Sequence, residues 1–155
     1  MTDGPASPMI ERNLRITRVL DAPRDLVWTC WTDPEHFAAW FGPEHFHTPV
    51  ESVEIDLRPG GVFKSTMVGP DGNEYPGTGT FVEVTPKDRL VFEERDIEHP
   101  MMERQHTVVS FRDLGGGRTE LEIAVTMVCV EELLPMAEAG WNSSFDKLAA
   151  VLAQG

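Results

Sequence analysis

The C-terminal stretch 138–155, EAGWNSSFDKLAAVLAQG, decides the fold of this chain. In it and just before it, apolar residues recur at intervals of three or four, which is the spacing of one face of a helix. Read backwards, these residues are Leu152, Leu148, Phe145, Trp141, Ala137 and Leu134. Because proline is tolerated only near the start of a helix, Pro135 predicts a beginning between Glu131 and Leu134. The apolar face of this amphipathic helix needs another surface to cover it.

Gly140 is the irregular position of this helix. A glycine in a helix interior costs about 1 kcal/mol relative to alanine, so the missing side chain is expected to make room for something. That neighbour is a packed protein segment or a ligand. Close packing is the expectation, because glycine most often marks a close approach of protein to protein.

The surface under the helix is predicted to be an antiparallel sheet. Between about residue 46 and residue 128, six stretches alternate apolar and polar residues with the period of a strand. Short turn-like connections such as RPGG (58–61) and TPKD (85–88) separate them. Such short links pair neighbouring strands antiparallel. One face of the sheet is therefore expected to be wet and the other to be covered.

One strand and two short helices are predicted ahead of this region. The stretch RNLRITRVL (12–20) alternates like a half-buried strand. Pro23 suits the first turn of a helix, and Asp33 followed by Pro34 suits the cap and first residue of a second one. The predicted order is strand, two short helices, six strands and one long helix, an α+β arrangement.

The bulk properties limit the classes of protein. The 155 residues fit a single domain, predicted over residues 10–155 behind a flexible, polar tail at residues 1–9. The net charge of −13 argues against binding to nucleic acids or to membrane surfaces. The two cysteines have no metal-ligand spacing, and no signal peptide is visible at the N-terminus. We therefore expect a cytoplasmic protein with free thiols.

Several motifs together resemble a known family. They are an early Ala-Pro helix, the segment DPEHFAAWFG (33–42), the Pro-Gly-Gly turn and the Gly-Trp pair of the last helix. Over residues 10 to 153 the chain is similar to the family named for the activator of the heat-shock protein 90 ATPase, within the START-like superfamily. The resemblance implies the helix-grip fold, in which a curved antiparallel sheet of about seven strands grips the last helix over a cavity. Such cavities often take an apolar or aromatic small molecule.

The resemblance and the many aromatic residues together suggest a ligand site. Rings from the helix pair, the sheet and the last helix are expected to line the cavity, with a few polar groups among them. The candidate ligand-binding residues are Trp31, Trp40, Phe41, Phe63, Ser65, Met67, Tyr75, Phe81, Phe92, Glu94, Phe111, Trp141 and Phe145. For any single ring, burial in the core is the default.

Glu94 is the most unusual polar candidate. If Leu90 and Phe92 face inward, the strand period places Glu94 on the same face, where it could bind a polar group of a ligand. The alternative is a carboxylate at the strand end that is solvated or paired with Arg95 or Arg104. The five histidines show no metal-binding motif, so no metal site and no cofactor are expected.

Three functional hypotheses follow. The first is a non-enzymatic protein that binds a hydrophobic or aromatic small molecule. The second is a cyclase or hydrolase in which Glu94 or His106 acts as general base inside the cavity. The third is a protein-interaction module, either a chaperone cofactor, as the family name suggests, or a stress-linked partner. It predicts a collapsed cavity and an exposed apolar patch. Homodimer formation is an expectation from the family alone.

Overall fold

Seven strands form one antiparallel sheet, as the sequence predicts. The computed structural model describes residues 7–154, and every structural statement below refers to these residues. The strands are β1 (Ile10–Leu20), β2 (Glu54–Ile55), β3 (Val62–Val68), β4 (Glu74–Thr85), β5 (Arg89–Glu94), β6 (Met102–Gly115) and β7 (Arg118–Cys129). Their order across the sheet is β1-β7-β6-β5-β4-β3-β2. The last strand therefore returns beside the first, and β1 and β2 form the two edges.

Three α-helices complete the fold at the predicted places. They are α1 (Arg24–Thr32), α2 (Pro34–Ala38) and α3 (Leu133–Gln154), and a short 3-10 helix lies at Val50–Ser52. Asp33 caps α2, since its carboxylate accepts a hydrogen bond from the backbone N–H of His36 at 3.1 Å. Pro135 is the third residue of α3, where its missing N–H breaks no helical bond. The α+β helix-grip prediction is confirmed.

The core lies on the face of the sheet that the three helices cover, here called the inner face. Alternate residues of β5, β6 and β7 point to this face and are buried, among them Leu90, Val109 and Ile123. The helices contribute large buried side chains of their own, such as Trp31 and Phe145. The other face, the outer face, carries most of the charged residues of the same strands.

Part of the expected tail contacts the start of α3. The hydroxyl of Ser7 donates a hydrogen bond to the carboxylate of Glu132 at 2.7 Å. The guanidinium of Arg12 donates to the carbonyl oxygen of Pro8 at 3.0 Å. Residues 1–6 of the predicted tail lie outside the described residues.

The expectation of close packing at Gly140 is wrong. A β-carbon built on Gly140 would have no atom of the described chain within 4 Å outside its own helix. Close approach occurs instead at Gly61 in the Pro-Gly-Gly turn, where a β-carbon would clash with the carbonyl oxygen of Asp56. An added methyl group would therefore fit at Gly140 and would collide with the backbone at Gly61.

We predict that Gly140→Ala stabilises the protein by about 0.5–1 kcal/mol, because alanine has a higher helix propensity and the methyl group meets open space. Urea denaturation followed by circular dichroism measures the free energy of unfolding. The matched variant Gly61→Ala is expected to lower it. A destabilised Gly140→Ala protein would contradict the open surroundings of this position.

Candidate functional site

An aromatic pocket of about 490 Å³ opens on the inner face of the sheet. Strands β3, β4, β5 and β6 form its floor, and the helices and two loop segments form its walls. The lining residues include Phe37 of α2, Pro43 and Phe46 of the segment 42–46, and Ile97 and His99 of the segment after β5. Trp141 of α3 closes one side. This volume lies within the range of small-molecule sites, about 300–1,000 Å³.

Nine of the thirteen candidate residues line this pocket. They are Trp31, Phe41, Phe63, Ser65, Met67, Tyr75, Phe92, Glu94 and Trp141. The other four belong to the core instead of the pocket wall, and they are Trp40, Phe81, Phe111 and Phe145. Each of these four is at most 1% exposed, because it is enclosed between the helices and the sheet. The structure thus corrects the expected lining at four positions.

The pocket wall is a continuous set of ring contacts. Phe37 stacks on Phe41 with ring centroids 4.5 Å apart, and its edge meets Phe63 at 5.2 Å. Phe63 in turn meets Phe92 edge to face at 4.9 Å. Phe41 reaches Trp141 at 5.9 Å. Since such pairs hold each other in place, the wall is organised before any ligand arrives.

Small residues on neighbouring strands leave the space that the rings surround. Ser65 of β3 lies opposite Gly77 of β4, and Phe63 lies opposite Gly79. All four residues line the pocket. A leucine or phenylalanine at Ser65 or Gly77 would project from the floor into the pocket. The volume of the pocket therefore depends on the register that places these small residues opposite each other.

The segment 42–46 is held in place by polar side chains of α3. Ser144 accepts a hydrogen bond from the N–H of Gly42 at 3.2 Å, and Ser143 accepts one from the N–H of Glu44 at 2.6 Å. The ammonium of Lys147 donates to the carbonyl oxygens of Gly42 and Phe46 at 2.8 and 3.2 Å. Burial lowers the pKa of Lys147 from its ordinary value. These contacts position Pro43 and Phe46 at the pocket.

Glu94 faces the pocket and is not paired with Arg95 or Arg104. One carboxylate oxygen accepts a hydrogen bond from the side-chain amide of Gln105 at 3.0 Å. The other accepts from the backbone N–H of Thr78 at 3.4 Å. The carboxylate is therefore held by two neutral donors at the edge of an apolar space.

Trp31, at the inner end of the pocket lining, carries an unpaired donor. Its side chain has no exposed surface, and no atom of the described residues accepts a hydrogen bond from its indole N–H. Aromatic rings surround it instead, with centroids between 5.0 and 6.5 Å away. A buried donor without an acceptor is unfavourable, so a polar acceptor that reached it would be bound well.

His106, the second candidate for a general base, lies on the outer face of the sheet. Its ring nitrogen Nδ1 is 2.8 Å from the carboxylate of Glu93, the residue opposite it on β5. The cavity role expected of His106 is therefore excluded by the strand alternation, which sends Gln105 and Thr107 to the inner face and His106 to the outer one. His99 is the histidine that lines the pocket.

The remaining residues that line the pocket were not identified from the sequence. They are Phe37, Pro43, Phe46, Pro76, Gly77, Gly79, Ile97, His99, Met102, Gln105 and Thr107. The strand period could have found Gln105 and Thr107, because they share a face with Val109 and Phe111. No local pattern signals the residues of the loop segments.

The described residues offer no metal cluster and no reactive thiol. Within residues 7–154, no group of three His, Cys, Asp or Glu side chains is placed to hold a metal ion. Burial raises the pKa of the Cys30 thiol to about 11 and also raises that of Cys129. No helix in the described part of the chain is long and apolar enough to cross a membrane.

A long helix laid over an antiparallel sheet, with an aromatic pocket between them, defines the START-like class of folds. The family model described as "Activator of Hsp90 ATPase homolog 1-like protein" matches residues 21–153. The chain belongs to this family. No curated protein matches the sequence.

Solved structures of bacterial proteins share the fold. A Chromobacterium violaceum protein is 27% identical, with a TM-score of 0.79 over 90% of this chain and 96% of the other. A Nitrosomonas europaea protein is 29% identical, with a TM-score of 0.75 over 92% and 94%. The AHSA1 protein of Silicibacter pomeroyi is 26% identical, with a TM-score of 0.79 over 92% and 99%. These relatives are matched along nearly their whole length.

We predict that neither cysteine reacts with Ellman's reagent in the native protein at about pH 8, since burial keeps both thiols protonated and covered. After unfolding in guanidinium chloride, both of the chain's two thiols should react. Absorbance of the released thiolate measures the reaction. Immediate reaction of one thiol in the folded protein would contradict this environment.

A second prediction concerns Glu93 on the outer face. The hydrogen bond from His106, and to a lesser degree that from Arg95, holds the pKa of Glu93 below its ordinary value of 4.5. A carboxyl group with a lowered pKa stabilises the folded state above its unfolded pKa, and this stability is lost as the pH falls through the folded pKa. Below about pH 4.5, the free energy of unfolding should therefore fall more steeply in the wild type than in Glu93→Gln. Urea denaturation at a series of pH values measures both slopes, and equal slopes would contradict the pairing.

Proposed function

We propose that this protein binds an apolar or aromatic small molecule in the aromatic pocket and that it does so without catalysing a reaction. The observation that carries the proposal is the pocket wall itself, in which rings from α2, β3, β5 and α3 form a chain of contacts, completed by Phe41, around an open space. Ligand sites are typically concave and mostly apolar, with a few placed polar groups. The family and the fold are consistent with this function or with a protein-interaction module.

The size and the organisation of the pocket support binding of a small molecule. The volume of about 490 Å³ exceeds what a water molecule or a single side chain needs. The segment 42–46 is tied to α3 by four hydrogen bonds, so the wall is formed in advance. A ligand would therefore lose little binding energy to ordering the protein.

The other two hypotheses have less support. An enzyme would need a base hydrogen-bonded to a second reactive group, and the two groups that donate to Glu94 are the side-chain amide of Gln105 and the backbone N–H of Thr78. An interaction module would favour a contiguous apolar patch. The most exposed large apolar side chains, such as Val19, Val82 and Met136, come from separate elements.

We predict that naphthylmethanol binds the wild-type protein and that Ser65→Leu weakens binding by at least about ten-fold, equivalent to about 1.4 kcal/mol. The leucine would fill the floor of the pocket opposite Gly77 without removing a hydrogen bond found in the structure. Calorimetry gives the dissociation constants. Shifts of the amide signals of β3 and β5 in NMR spectra locate the bound molecule.

The matched control is Thr80→Leu, which adds a similar side chain to β4 at an exposed position outside the pocket lining. It should bind naphthylmethanol like the wild type. Binding that Ser65→Leu leaves unchanged, or amide shifts confined to another surface, would refute the pocket as the site. Native mass spectrometry of freshly purified protein, followed by extraction, would identify the class of a natural ligand.

A further inference from the structure

If the proposed function holds, the charged side chains of the pocket indicate which chemical class of ligand it binds. Glu94 is the only carboxylate among the described residues that line the pocket, and neither lysine nor arginine is among them. The net charge of the chain is −13. The pocket is therefore an apolar space with a single acidic group in it, on a protein whose surface attracts cations.

The two donors that hold Glu94 leave much of its hydrogen-bonding capacity unused. A carboxylate can accept about four hydrogen bonds, and Glu94 accepts one from Gln105 and one, at 3.4 Å, from Thr78. Gly77 leaves the approach open, since a β-carbon there would stand 3.8 Å from both carboxylate oxygens. The carboxylate thus borders the same floor that Ser65 and Gly77 keep clear.

The neighbouring carboxylate, that of Glu93, has positively charged partners within the protein. Glu93 lies on the outer face, 2.8 Å from the ring nitrogen of His106 and 3.1 Å from the guanidinium of Arg95. In the described part of the chain, no Lys, Arg or His nitrogen forms such a pair with Glu94 within 4.0 Å. The positive partner that Glu93 finds within the protein is missing for Glu94.

A ligand that fills the pocket displaces water from the carboxylate of Glu94. An apolar molecule lying over Glu94 would remove water from a charge and offer nothing in return, which is costly. A protonated amine would replace that water with a charge-assisted hydrogen bond. The faces of nearby rings such as Phe63 and Phe92 would also attract an ammonium group.

We propose that the aromatic pocket is selective for aromatic amines, with the ring system held by the aromatic wall and the ammonium group paired with Glu94. Within the proposed function, this assigns Glu94 the role of the specificity-determining residue. It predicts discrimination between ligands of equal shape and different charge.

Three probes of one shape test the proposal: naphthylmethylamine, naphthylmethanol and naphthoate, which are cationic, neutral and anionic at neutral pH. Calorimetry at about 0.15 M salt, where long-range attraction is mostly screened, gives their dissociation constants. For the wild type, we expect the amine to bind at least about ten-fold more tightly than the alcohol, and naphthoate to bind most weakly. In Glu94→Gln this preference should fall to about two-fold or less, with the affinity for the alcohol nearly unchanged.

Glu93→Gln is the matched control, because it removes the same charge from the adjacent residue on the opposite face. It should keep the preference of the wild type for the amine. Equal affinities for amine and alcohol in the wild type, or a preference that survives Glu94→Gln, would overturn the role of Glu94 while leaving the pocket as a site for aromatic molecules. If none of the three probes binds, the proposed function fails and this inference fails with it.

Discussion

The packing around Trp31 is the interaction on which the rest of the structure depends. Its ring lies within 6.5 Å of rings from every layer of the fold: Phe37 of α2, Phe111 of β6, and Trp141 and Phe145 of α3. Trp40 joins the same cluster and anchors it to α1 through a hydrogen bond of 2.8 Å to the carbonyl oxygen of Cys30. Large buried rings contribute much of the hydrophobic stabilisation of a domain. The cluster therefore sets where α3 lies against the sheet and the helix pair.

The pocket is a consequence of that placement. With Trp141 and Phe145 held beside Trp31, the Trp141 side chain stands at the edge of the open space. The following turns of α3 carry the side chains that fasten the segment 42–46. On the opposite side, Ser65, Gly77 and Gly79 leave the strands without bulk. Protein interiors are close-packed, so a space of this size that small residues keep clear is a feature of the fold rather than a packing defect.

The two carboxylates at the end of β5 lie on opposite faces of the sheet. Glu93 finds its positive partners on the outer face and belongs to the polar surface. Glu94, one residue further, is held by neutral donors beside the aromatic wall. A difference of one position in a strand moves a side chain to the other face. Of the two predicted general bases, Glu94 therefore lies at the pocket and His106 lies on the outer face.

The sequence by itself determined the order of the elements and the fold class, because helix and strand periods, the Asp33 cap and the proline positions are local signals. It also placed Glu94 on the same face as Phe92. Only the tertiary structure decided which rings border the pocket and which, like Phe81 and Phe111, are enclosed in the core. That division depends on strand register, on the path of α3 and on the hydrogen bonds that hold the segment 42–46, which are contacts between residues far apart in the chain. A periodic pattern states that a side chain points inward, but the elements packed opposite it determine whether it meets protein or open space.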